Sequence, residues 1–120
     1  MVTLKTLEQS TPQQVFDHVA THLLTQNKRS TGKNRDCLYK SPEGLKCAAG
    51  CIIADDEYNE KMEDVVWRML VRREVVPEAH MELISDLQYC HDDYEPRSWK
   101  QKLKTIAKYH NLSISVLDKF

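Results

Sequence analysis

No run of apolar residues in this chain approaches the roughly 20 needed to span a bilayer, which excludes a membrane-spanning helix. The opening residues lack the apolar core of a secretion signal. Together these absences lead to the expectation of a cytoplasmic protein whose thiols stay reduced. Internal repeats and low-complexity segments are also missing, so neither a solenoid nor a disordered linker is expected. Neither acidic cluster, Asp55-Asp56 nor Asp92-Asp93, has alternating oxygen ligands around a glycine, so an EF-hand type calcium loop is excluded. No interleaving of aromatic and basic residues suggests a single-stranded nucleic-acid groove, and no complete catalytic or cofactor motif is present.

What remains is an ordinary globular composition in 120 residues, 41% apolar and 29% charged. That length is most simply one domain. Net charge is −1, but it is unevenly spread. Residues 1–50 carry +3, residues 51–96 carry −9 and residues 97–120 carry +5. Two faces of opposite sign, or segments that neutralise each other in the fold, would both produce that pattern.

Helical signals dominate. Thr11-Pro-Gln-Gln14 reads as a capping box with proline at the first helical position. Val15, Phe16, Val19, Ala20, Leu23 and Leu24 then follow at helical spacing. Further stripes run through Val65, Val66, Met69 and Leu70 from about Glu63, and through Ala79, Leu83, Ile84, Leu87 and Cys90 after Pro77. A fourth helix is expected after Pro96, with Trp99, Leu103, Ile106 and Ala107 inward. Asn111 suits a left-handed stop, and Ser113 suits the cap of a last short helix.

Between these stripes, Ser41-Pro-Glu-Gly44 has the proline and glycine of a type I turn with a left-handed bulge residue. The flanking Cys37-Leu-Tyr-Lys and Leu45-Lys-Cys-Ala predict a hairpin with Tyr39 opposite Cys47. The expected fold is therefore α+β: a mainly helical single domain over residues 11–120, with one β-hairpin packed on the helices and a flexible lead-in over residues 1–10. The small residues Cys47-Ala-Ala-Gly50 are expected where the backbone passes close to the first helix.

Candidate chemistry is sparse. Cys47, Cys51 or Cys90 with His91 could form a thiol–imidazole pair, but Cys90 and His91 are adjacent on a helix and do not face each other. Cys37, Cys47 and Cys51, with Cys90 or His91, could supply four zinc ligands; the Cys47/Cys51 pair has no matching partner pair. His18 and His22 stand one helical turn apart without the glutamate of a zinc-protease motif, and an exposed pair is expected. Cysteine as small apolar filler explains the composition without a metal or cofactor.

Two binding surfaces remain. Asp55, Asp56, Glu57 and Tyr58, with Tyr89 and Tyr94 around Trp99, are candidate contacts to a protein partner. The segment 103–120 resembles part of a DNA-binding helix-turn-helix, with Lys104, Lys108, Ser113 and Ser115 as its candidate contacts and a positive local charge; DNA is the less favoured partner.

Several elements occur together in a pattern: Phe16 to Leu23, Cys37-x-Tyr39, Cys47-Ala-Ala-Gly-Cys-Ile-Ile-Ala-Asp-Asp-Glu-Tyr58 and Leu87-Gln-x-x-His-Asp92. This pattern resembles a family of small proteins of tailed phages and prophages. Ala54 stands where such proteins often have proline, and Met62-Glu-Asp64 where a glycine commonly follows. The resemblance implies a phage or prophage setting and a host or phage protein as partner, and it transfers no activity, cofactor or site.

Overall fold

Thr11 begins the first helix as its sequence requires. The Thr11 Oγ1 accepts the Gln14 N–H at 3.1 Å, and the Gln14 Oε1 accepts the Thr11 N–H at 2.9 Å. Pro12 occupies the first turn of α1 (Pro12–Gln26), which stops where Asn27 turns left-handed at φ 51°. In this computed structural model, which describes residues 1–120, three more α-helices follow: α2 (Trp67–Arg72), α3 (Met81–Asp93) and α4 (Pro96–Tyr109). No helix is long and apolar enough to cross a membrane.

The helices form the core in the manner their stripes dictate. Val15, Phe16, Val19, Ala20 and Leu23 of α1 are fully buried, as are Ile84 and Leu87 of α3 and Trp99, Leu103 and Ala107 of α4. Helix α3 packs against α1, α2 and α4, and α1 also packs against α4. Asn111, at φ 57°, ends α4, and the Leu112 N–H reaches back to the Ala107 carbonyl at 2.8 Å. Val2 and Leu7 of the first ten residues also lie in the core.

Two helices are shorter than their stripes suggest. Asp64 sits at φ 62° and Val66 is extended, so α2 starts only at Trp67. Helix α3 begins at Met81 because His80 is left-handed at φ 61°, with its Nε2–H donating to the Ser10 carbonyl at 2.7 Å. The closing segment Ser115–Lys119 is a 3-10 turn, with Val116 and Leu117 packed inward.

The expected α+β fold is not what forms, because the structure contains no strand. The turn at Ser41–Gly44 does close, with the Gly44 N–H on the Ser41 carbonyl at 2.9 Å and Gly44 at φ 88°. Pairing beyond it is limited to isolated antiparallel bridges, Lys40 with Lys46 and Thr31 with Cys37. The physical reason lies at the next rung, Tyr39 with Cys47: Glu63 takes the Tyr39 N–H, and the Cys47 carbonyl accepts the Cys51 N–H at 3.1 Å. The Glu63 carboxylate accepts the N–H of Tyr39 at 2.9 Å and of Lys40 at 3.2 Å, and also the Tyr58 hydroxyl at 2.6 Å. Gln26 accepts the Lys46 N–H at 3.0 Å and donates to the Lys46 carbonyl at 2.9 Å.

The cysteine-bearing turn does pass close to α1, as expected, and Gly50 itself faces the Tyr39 carbonyl, where a Cβ would stand 2.0 Å from the oxygen. One further expectation changes. His18 and His22 are not an exposed pair: each Nε2–H holds a backbone carbonyl, Cys51 at 2.9 Å and Lys46 at 2.8 Å.

Replacing Glu63 by glutamine removes the charge and half the acceptor capacity beneath three donors. Glu63→Gln is expected to lower unfolding stability by about 2–3 kcal/mol, measured by urea denaturation. The exposed Glu60→Gln should change it by less than about 0.5 kcal/mol. A pH effect follows from His22, whose pKa is lowered from 6.5 chiefly by burial. The unfolded chain binds the proton first, so this contribution is complete above about pH 6.5 and declines as pH falls below it. The loss in urea midpoint between neutral and mildly acidic pH should therefore be smaller in His22→Gln than in the parent protein.

Candidate functional site

One face of α3 carries the polar residues of the Leu87–Asp92 motif. Gln88 and Asp92 are one turn apart, and the Gln88 Nε2 donates to Asp92 Oδ1 at 2.7 Å. The Gln88 Oε1 accepts the Ala49 N–H at 2.8 Å, which ties α3 to the cysteine-bearing turn. His91 is fully buried and stacks on Trp99 at 5.4 Å between ring centroids. Its Nε2 lies 3.0 Å from the Ser30 N–H and its Nδ1 lies 2.8 Å from Asp92 Oδ1. The Leu87–Asp92 and Cys47–Cys51 motifs, far apart in the chain, thus meet where the Ala49 N–H donates to the Gln88 side chain.

Cys37, His91 and Asp92 bring ligand atoms within 4.8 Å of one another. This set is not the one read from spacing, since Cys47, Cys51 and Cys90 do not join it. The hydrogen bonds also oppose a metal there. An amide N–H can only donate, so Nε2 of His91 must present its lone pair to Ser30, and the ring proton sits on Nδ1 facing Asp92. A cation on Nδ1 would require an imidazolate or the loss of the buried Ser30 bond. The trio is better described as a structural relay from loop to helix.

The thiols are poor nucleophiles. Burial, reinforced by the nearby Asp92 charge, pushes Cys37 up to about 12. Burial takes Cys90 up to about 12 and is the largest cause driving Cys47 and Cys51 upward too. Cys47 Sγ accepts the Gly50 N–H at 3.3 Å, and the Cys51 thiol donates to the Ala48 carbonyl at 3.0 Å. Thiolate chemistry needs the opposite environment.

The acidic segment is largely occupied within the fold. Asp55 pairs with Lys46 at 3.1 Å and Lys40 at 3.3 Å, and those hydrogen bonds hold its carboxyl below the usual range. Glu57 accepts the N–H groups of Leu4, Lys5 and Ala54 at 3.1, 3.1 and 2.9 Å. Tyr58 bonds Glu63, and its hydroxyl is pushed upward by burial and then by that carboxylate. Of the acidic contacts only Asp56 is free of a close partner, with Lys5 at 3.9 Å.

The segment resembling a helix-turn-helix forms no recognition helix. Gln13 donates to the Ser113 carbonyl at 3.0 Å and accepts its N–H at 2.8 Å, which binds this stretch to α1. The Ser113 hydroxyl accepts the Ser115 N–H at 3.1 Å, so both serines serve the turn. Lys108 is exposed and Lys104 half-buried on α4, with no second helix beside them to enter a groove.

A cleft of about 510 Å³ opens between α3, the segment Asp64–Arg68 and the loop around Tyr39. Leu38, Val65, Trp67 and Tyr89 supply its apolar walls, and Gln88 and Asp92 border it. Val66 and Tyr89 leave 68% and 61% of their surface exposed. Tyr94 stands edge-on to Tyr89 at 6.4 Å, with the Lys102 ammonium 4.3 Å from its ring. Of the expected contacts, Tyr89 alone lines this cleft.

Trp67 and Ser85 are the residues that periodicity missed. The stripe through Val65, Val66, Met69 and Leu70 absorbed attention, whereas a tryptophan at a helix start carries an N–H that needs a partner when buried. No family model, curated protein or solved structure matches the chain.

Cys37, the more exposed of the two thiols lining the cleft, should alkylate slowly at pH 8 by mass spectrometry with iodoacetamide. Asp92→Asn removes the negative charge that raises its pKa, so the rate should increase several-fold. Cys47, being buried, should remain unmodified until the protein unfolds.

Proposed function

We propose that this protein is a non-enzymatic accessory protein of phage or prophage type. It acts in the host cytoplasm by binding a host or phage protein through the cleft between α2 and α3. The observation that carries this reading is the cleft itself, a concave apolar surface with Val66 and Tyr89 exposed on its border. Its volume falls in the range of about 300–1,000 Å³ typical of ligand sites, and exposed apolar and aromatic side chains beside a pocket are what an interface uses as anchors. The phage-type setting is supported by the sequence pattern, whose separate parts converge on α3. A non-enzymatic role is supported by thiols held protonated and by a buried imidazole with both nitrogens engaged.

Selection of random peptides displayed against the folded protein tests this reading. Enriched peptides should share a large apolar residue and lose at least about ten-fold in affinity (1.4 kcal/mol) to Val66→Asp, a surface change that leaves the far-ultraviolet dichroism intact. Equal binding of the selected peptides by Val66→Asp would contradict the cleft as the interface. So would a salt-sensitive shift of duplex DNA with no peptide selected.

A further inference from the structure

Two polar atoms distinguish this cleft from a simple apolar groove. Trp67 is only 3% exposed, and its Nε1–H has no acceptor in the protein. The Ser85 Oγ, one turn before Gln88 and Tyr89 on α3, is likewise buried without a partner. Both residues line the cleft. Among the other polar groups of the lining, the Tyr39 hydroxyl donates to the Val65 carbonyl, Gln88 is bonded at both ends of its amide, and Asp92 accepts from Gln88 and His91, while Asp64 and Arg68 are solvated at the rim. The other tryptophan, Trp99, is also satisfied, donating to the Tyr94 carbonyl at 2.9 Å. Buried donors are rarely left open, because each carries its full desolvation cost until an acceptor arrives.

We infer that the cleft takes an internal segment of a partner's polypeptide, holding one large apolar side chain and an adjacent backbone amide. The Trp67 Nε1–H donates to the amide carbonyl oxygen, and the Ser85 hydroxyl completes the amide's hydrogen bonding. Charge selects a neutral amide over a chain-terminal carboxylate, since Asp64 and Asp92 border the cleft against a single guanidinium, Arg68. A hydrocarbon chain such as a lipid tail would fill the apolar walls yet leave both open atoms unsatisfied. This inference rests on the reading of the cleft as a protein-binding site and adds what the site recognises.

The test uses the full ¹⁵N-labelled chain, whose two tryptophan indole resonances report separately. The probes, at millimolar concentration, are N-acetyl-phenylalanine methylamide, N-acetyl-phenylalanine with its free carboxylate, and ethylbenzene. The methylamide is expected to move the Trp67 indole resonance downfield in a saturable manner and leave Trp99 in place, with the other two probes weaker. Ser85→Ala is expected to weaken methylamide binding about 2- to 10-fold without lowering the thermal midpoint, because that hydroxyl holds nothing in the free protein. Ethylbenzene or the carboxylate binding as tightly as the methylamide would overturn the amide requirement while leaving the cleft as a binding site. A motionless Trp67 indole, with Val66-dependent peptides still bound, would do the same. Failure of every probe together with failure to select Val66-dependent peptides would remove both readings. A lowered midpoint in Ser85→Ala would place that hydroxyl in the fold and contradict its assignment to a ligand.

Discussion

Between Asn27 and Val66 the chain has no α-helix and no sheet, yet much of it is buried, so its backbone N–H and carbonyl groups must find partners elsewhere. Tight turns pair some of these groups, and side chains supply partners for the others. Glu57 and Glu63 each gather three donors, Gln26 and Gln88 clasp the cysteine-bearing loop from either end, and three histidines bond Ser30, Lys46 and Cys51. Hydrogen bonds to ionised carboxylates contribute about 1.5–3 kcal/mol each, a large share of the roughly 5–15 kcal/mol that stabilises a domain. The irregular third of the molecule is therefore held by its acids and amides, while the helices are held by their apolar stripes.

Helix α3 joins the two halves. Its apolar face, with Ile84 and Leu87 fully buried, belongs to the helical core. Its polar row of Ser85, Gln88 and Asp92 faces the loop and the cleft. The same two residues that anchor Ala49 and His91, Gln88 and Asp92, border the surface offered to a partner. Tyr39, Gln88 and Asp92, locked in hydrogen bonds, preorganise that wall, so little of it remains to be ordered on binding. The Trp67 indole and the Ser85 hydroxyl are its buried polar atoms without a partner, which is why the proposed recognition is assigned to them.

Local signals were legible in the sequence and long-range ones were not. The Thr11 capping box, the stop at Asn111 and the inward faces of α1, α3 and α4 depend on residues within a few positions of one another, and all appear where the pattern puts them. The Ser41–Gly44 turn is local as well and closes with Gly44 left-handed. The hairpin beyond it failed because Glu63 reaches back from 24 residues away to take the amide of Tyr39, and no pattern near Tyr39 announces that competitor. The role of Glu57 is hidden for the same reason, since a carboxylate that caps loop amides cannot be told from a solvated one by its neighbours in sequence. The role of Trp67 is not legible in an apolar stripe, which records where a residue packs and says nothing of whether its N–H is satisfied.

Native-state hydrogen exchange at single-amide resolution measures the central constraint most directly. The account predicts that the amides of Ser30, Tyr39 and Ala49, which lie in no helix or strand, exchange as slowly as those in the middle of α3, through opening of the whole domain. Fast exchange at these three positions, at rates typical of an open loop, would contradict it and return the segment to the status of an unanchored connection.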